Sequence, residues 1–170
     1  MEYLKTESGI FGIDDEGTLR WFDAEPTTEE RILKKLIIPE GVVTIPDDSF
    51  RRYTVLEELC FPGSLRVLGT NDGCAFANCH LPDVFLPESL ESLGSFVFGN
   101  STMHSLHIPK GLRSRYLRQF KGSSIETLYL PRLLEDPNLI RYSDMNDDTG
   151  FGFLRCLRGD AWIKTIVYVG

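Results

Sequence analysis

The stretch LPDVFLPESLESLGSFVFGNSTMHSLHIP, residues 81–109, holds one seven-residue phrase twice, LPDVFLP (81–87) and MHSLHIP (103–109). Working outward, the phrase recurs as LEELCFP (56–62) and LKKLIIP (33–39) on one side and IETLYLP (125–131) on the other. A sixth version, IKTIVYV (163–169), lacks the closing proline. The closing prolines Pro39, Pro62, Pro87, Pro109 and Pro131 stand 23, 25, 22 and 22 residues apart.

In such a phrase the first, fourth and sixth residues (Leu33, Leu36 and Ile38 in the first copy) fall inward, and the third and fifth point to the opposite face of a short strand. The proline closes the strand because it cannot donate to a ladder and favours a turn. One coil buries too little apolar surface alone, so neighbouring coils must stack and share a core. Self-similarity at this period predicts a leucine-rich-repeat solenoid, α/β to mainly β. The expected form is a right-handed coil with a single parallel sheet of about six short strands and mostly irregular convex turns. Leu36, Leu59, Val84, Leu106 and Leu128 are expected to form one stacked, buried ladder.

The segments between the phrases repeat as well. Glu40-Gly41-Val42, Ile45 and Ser49-Phe50 in the first unit match Leu65, Leu68-Gly69 and Ala75-Phe76, then Leu90, Leu93-Gly94 and Val97-Phe98. Cys79 follows Phe76 by three residues and precedes the next strand. Over about residues 33–131 this pattern resembles the BspA-like (Treponema-type) leucine-rich repeats of bacteria, whose unit reads roughly I-P-x-S-V-T-S-I-G-x-x-A-F-x-x-C-x-x-L. The chain departs from it by an insertion around Thr70–Cys74, by Arg115 at an aliphatic place, and by a lapse of spacing beyond Pro131. The resemblance implies a non-catalytic surface that binds protein or glycan partners, and relatives that are commonly exported. It also implies that Cys79 occupies the inward cysteine place.

The chain of 170 residues, 42 % hydrophobic, suits one leucine-rich-repeat domain over 1–170. Its expected parts are an N-terminal cap (1–32), the repeats (33–131), and an irregular segment with the final strand (132–170). Ile10, Phe11 and Ile13, then Asp14-Asp15-Glu16-Gly17, then Leu19, Trp21 and Phe22 predict a β-hairpin cap, with Trp21 over the first core layer. Residues 26–32 link it to the first repeat strand. Leu112, Tyr116 and Phe120, spaced i, i+4, i+8, predict a helical stripe within 111–121, with Arg113, Arg118 and Lys121 off it. Phe151, Phe153, Leu154 and Leu157 predict a second short helix.

The net charge of −7 argues against nucleic acid, which demands a cationic surface. All of it sits in residues 1–60, with 14 acidic and 7 basic side chains against 11 of each in 61–170. No apolar run approaches the ~18 residues of a membrane span. The N-terminus MEYLKTESG shows no secretory signal, so the sequence as it stands reads as cytoplasmic, or as cell-surface or secreted if a leader was trimmed. The four cysteines leave the compartment open, as they do a Cys74–Cys79 bridge, with Cys156 expected to pack.

No catalytic or metal constellation is expected, and no cofactor. His104 and His107 are three residues apart on a strand, a spacing read as opposite faces. Cys60 and His107 share an outward row but lie two strands apart, about 9.6 Å, with Phe85 between them. A nucleophile and its base must approach to about 3 Å. Asp144, Asn146 and Asp148 before Gly150 lack the sixth-place Gly and twelfth-place Glu of a calcium loop. His80 is expected to be a solvent-facing turn residue.

The expected binding surface is the row of fifth positions, Ile37, Cys60, Phe85, His107, Tyr129 and Val167, bordered by the polar third positions Lys35, Glu58, Asp83, Ser105, Thr127 and Thr165. Contiguous exposed apolar surface with aromatic anchors marks interaction sites. Three function classes follow: a protein-binding module, a glycan-binding or adhesive module, and a structural subunit that self-assembles. For the last, the final strand offers a sheet edge blunted only by Lys164, through which a homodimer can form.

Overall fold

The computed structural model describes residues 1–23, 31–70, 73–112, 118–132 and 161–170, with Trp21 described by its backbone alone. The expectations for Trp21's side chain, the 26–30 part of the linker, residues 113–117, the acidic loop at 144–150, the helix at 151–157 and Cys156 lie outside the described residues.

Six strands build one wholly parallel sheet: β4 (Ile32–Ile37), β6 (Thr54–Cys60), β8 (His80–Phe85), β10 (Thr102–His107), β11 (Ser124–Pro131) and β12 (Trp162–Val169). They lie side by side in chain order. After each of the first four, the proline carbonyl turns the chain by accepting from the amide three residues on, as from Val42 to Pro39 and Leu90 to Pro87. The convex side is more regular than the sequence suggests. β5 (Thr44–Ile45), β7 (Val67–Leu68) and β9 (Ser92–Leu93) pair in parallel as a second, three-stranded sheet. Among the described residues there is no α-helix.

The expected ladder is present: Leu36, Leu59, Val84, Leu106 and Leu128 are all buried and contiguous with one core cluster. Beneath it runs a column of rings. Phe50, Phe76, Phe98 and Phe120 stack at centroid distances of 5.0, 5.7 and 5.5 Å. Phe120 therefore ends a coil turn beneath Phe98, and Lys121 N–H donates to Arg118 O in a tight turn. At its described ends this corrects the helical stripe: Leu112 and Phe120 occupy two separate inward positions of one repeat, and 118–121 is a turn.

A hydroxyl or thiol three residues after the ring ties adjacent coils. Cys79 Sγ donates to Phe50 O (3.0 Å), Ser101 Oγ to Phe76 O (2.6 Å) and Ser123 Oγ to Phe98 O (2.7 Å). Burial pushes the Cys79 thiol up to about 11, so it keeps the proton it donates. Cys79 is a free thiol, which settles against a Cys74–Cys79 bridge.

The second phrase is out of step by one residue. Val55 pairs with Leu33 and is buried, whereas Leu56 is 61 % exposed, because an irregularity in β6 separates Val55 from Glu58. Where the heptad puts Leu56 inside, the extra residue turns it out.

The cap contains the expected hairpin, β2 (Gly9–Ile13) with β3 (Leu19–Asp23), and extends it to a three-stranded meander through β1 (Glu2–Thr6), which pairs with β2. Phe11, Ile13 and Leu19 are buried on the first coil, and Phe22 sits edge-on to Phe50 at 5.2 Å. In the β2–β3 turn, Asp14 Oδ1 accepts from the amides of Glu16 and Thr18, and Gly17 takes φ +78°. Gly17 O then accepts from Val43 and Thr44, and Ser8 Oγ accepts from the Ile37 amide at the edge of β4 (2.6 Å). The cap thus meets the solenoid at both the convex side and the first strand.

Candidate functional site

The outer face of the six-stranded sheet is arranged by register. Leu36 pairs with Leu59, Val84 with Leu106, and Leu106 with Leu128, so the flanking outward residues align too. Ile37 lies opposite Cys60, Phe85 opposite His107, His107 opposite Tyr129, and Tyr129 opposite Val167. The polar row runs alongside through the pairs Lys35–Glu58, Asp83–Ser105, Ser105–Thr127 and Thr127–Thr165.

Three rings in the apolar row form a continuous stack. Phe85 and His107 lie 3.9 Å apart at 19°, and His107 and Tyr129 lie 4.1 Å apart at 6°. Parallel in-register strands force this, since equivalent side chains repeat at the strand spacing of about 4.8 Å. Phe85 is 55 % exposed; the other members of the row are half-buried. Burial lowers the pKa of His107, partly opposed by the Asp83 carboxylate, which favours the uncharged ring.

The polar border is predominantly paired. Glu58 sits 3.1 Å from Lys35 Nζ and accepts from Cys60 Sγ at 3.3 Å. Lys35 holds the Glu58 carboxyl below its ordinary value, and burial together with Glu58 pushes the Cys60 thiol up. Glu126 accepts from Lys164 Nζ (3.1 Å) and contacts His104 Nδ1 (2.9 Å), and Lys164 leads in lowering its pKa. Asp83 Oδ1 accepts from Ser105 Oγ (2.6 Å), and His104 Nε2 lies 3.9 Å from the same oxygen.

His104 and His107 prove to share the outer face, contrary to the opposite-face reading. The inward spacing of first, fourth and sixth residues places two outward residues in succession, which breaks simple alternation. They still make no metal pair: His104 bonds to Glu126 while His107 is held between rings. No cluster of three or more His, Cys, Asp or Glu side chains among the described residues has metal-binding geometry. Cys60 and His107 are separated by β8 and the Phe85 ring. His80 begins β8 and bonds Thr102 Oγ1 through Nδ1 at 2.7 Å, so it belongs to the strand rather than a turn. Among the described residues no helix is long and apolar enough to cross a membrane.

Stacked coils, one parallel sheet, the phenylalanine column and the Cys/Ser ties define a leucine-rich-repeat solenoid. The family described as the BspA type leucine rich repeat region matches residues 28–139 in six copies, 112 of the 170 residues, and the chain belongs to that family. No curated protein matches the sequence. Strand β12 lies beyond the matched region and nevertheless joins the sheet in register with β11. The family is typically non-catalytic and points to a protein-interaction module.

Proposed function

We propose that this chain is a non-catalytic protein-binding module whose partner rests on the outer sheet face, with Phe85, His107 and Tyr129 at the centre of the contact and Ile37, Cys60 and Val167 along the same row. The observation that carries this reading is the ring stack. Its Phe85 end is more than half exposed, although a solvent-facing strand position has no packing need for a large ring. Rigid rings are effective interface anchors because little side-chain freedom is lost on binding. The test is capture from native lysate by the wild type and by a Phe85→Ala/Tyr129→Ala variant, followed by titration of any differentially captured protein in purified form. A partner that binds the wild type at least tenfold more tightly, about 1.4 kcal/mol, supports the reading. Equal binding by both forms overturns it.

A second reading, self-association through β12, rests on a different observation. Ile166 pairs with the fully buried Leu128 yet is itself 38 % exposed, and Trp162 and Val169 are exposed beside it. The Trp162 amide donates to Ser123 O, so by alternation the amides of Thr165 and Val167 point to the outer edge. A concentration-dependent dimer that Val167→Pro abolishes supports this reading. A monomer at all concentrations ends it.

A further inference from the structure

The aromatic stack stops abruptly on one side. Phe85 gives one ring face to His107 on β10, and its other face turns toward β6, where the row holds only Cys60. Beyond Cys60 the row rises again at Ile37 on β4. Ile37 and Phe85 are two strands apart, about 9.6 Å. The short thiol between them is the floor of a notch, walled by an aliphatic chain and by a ring face. One planar group laid on Phe85 at the 3.9 Å spacing of the existing stack stands directly above Cys60.

The border of the notch is anionic. Glu58 reaches the floor itself, 3.3 Å from Cys60 Sγ. Asp83 stands two residues before Phe85 on the same outer face, and among the described residues no lysine or arginine pairs with it. Among the described residues Lys35 is the one cation at this border, and it is shared between Glu58 (3.1 Å) and Glu7 (3.6 Å). Three carboxylates against one ammonium leave a local formal charge of −2.

Resting on the reading that this face binds protein, we propose that the notch over Cys60 receives an arginine side chain of the partner, its guanidinium stacked on Phe85 and hydrogen-bonded to Asp83 and Glu58. A guanidinium is planar, always charged and weakly hydrated, and it stacks on aromatic rings while donating in its own plane. A lysine ammonium is a compact, strongly hydrated point charge and cannot extend the stack. An aromatic side chain would fill the slot but bring no cation to Asp83, and would leave the local excess of negative charge uncompensated.

The full chain can be probed with N-acetyl-arginine amide, N-acetyl-lysine amide and N-acetyl-tryptophan amide, reading the ring resonances of Phe85 and His107 by NMR. The arginine amide is expected to shift both rings saturably with a Kd on the order of millimolar, and the lysine amide at least about threefold more weakly. Asp83→Asn should weaken the arginine response about threefold or more, and Cys60→Leu, which fills the notch, should abolish it. Asp83→Asn alters only an exposed group, so it decides the matter even if Cys60→Leu does not fold. No saturable shift, equal response to lysine, or a tighter tryptophan amide each overturns the proposal. If the arginine probe fails while Phe85→Ala/Tyr129→Ala still loses a partner, the notch is wrong and the binding face stands. If the double variant loses nothing, the binding face itself is wrong.

Discussion

Ser101 Oγ lies 2.6 Å from the carbonyl oxygen of Phe76, one coil earlier, and at the same time accepts from the Cys79 amide at 3.0 Å. Both contacts are buried, so a single hydroxyl satisfies an acceptor and a donor that water cannot reach. Cys79 and Ser123 make the equivalent bond to Phe50 and Phe98. The tie runs between neighbouring coils, as expected where each repeat is stabilised by the next.

Replacing Ser101 with alanine orphans two buried groups, each worth about 1–3 kcal/mol, and should destabilise the fold by about 2–4 kcal/mol in urea unfolding. Ser101→Cys should be the milder change, because Cys79 performs the same task with a thiol. A Ser101→Ala loss below about 0.5 kcal/mol would show that the tie contributes little net stability.

The convex turns predict a stabilising substitution. The residue two places after each ring has positive φ: Arg52 (+65°), Asn78 (+57°), Asn100 (+53°) and Gly122 (+74°). Asparagine and glycine tolerate this region, whereas an arginine Cβ crowds the following carbonyl. Arg52→Asn keeps the backbone bond from Arg52 N–H to Ala77 O and should raise stability by about 0.5–1 kcal/mol. Gly122→Ala is the opposing control, since its Cβ would collide with Asn100 Oδ1. If both variants lower the thermal midpoint, backbone strain does not govern this position.

The rows of the sheet were legible because parallel register converts a sequence period directly into spatial columns. Leu106 over Leu128 and Phe85 beside His107 follow from counting residues. What escaped depends on local departures from that count. One additional residue in β6 exchanges Val55 for Leu56, and no heptad distinguishes two adjacent apolar residues. Phe120 was misread because its neighbours lack the Ala/Val-Phe pair of earlier repeats; Gln119 stands there instead. Strand β1 went unrecognised because MEYLKT has no strict alternation, and its pairing with β2 supplies the order. The notch at Cys60 was present in the row as a small residue between large ones, but its depth emerges only once the Phe85 ring face and Glu58 are placed.

The cap should report on acid. The Asp14 carboxyl is held below its ordinary pKa, chiefly by the Thr18 amide and also by Arg20, whose Nε is 2.7 Å away. A carboxyl lowered in the folded state adds stability above its unfolded pKa and loses it as pH falls through the folded one. Wild type should therefore exceed Asp14→Asn in thermal midpoint at pH about 6, and the gap should narrow as the pH falls through the folded-state pKa of Asp14 and its carboxyl takes up a proton. A gap that is constant over this range would remove the titration of Asp14 as its cause.

Neighbouring outward and inward positions should respond in opposite ways. Leu106 is fully buried between Val84 and Leu128, so Leu106→Ala removes packed methyl groups and leaves a cavity in the ladder. Its expected loss is about 2–5 kcal/mol. Phe85, one strand away and 55 % exposed, contributes a ring to the stack but none to the core, so Phe85→Ala should remain within about 1 kcal/mol of wild type. Paired urea titrations measure both. If Phe85→Ala proves as damaging as Leu106→Ala, the ring stack is a structural brace for the sheet, and the face loses its claim as a site reserved for a partner.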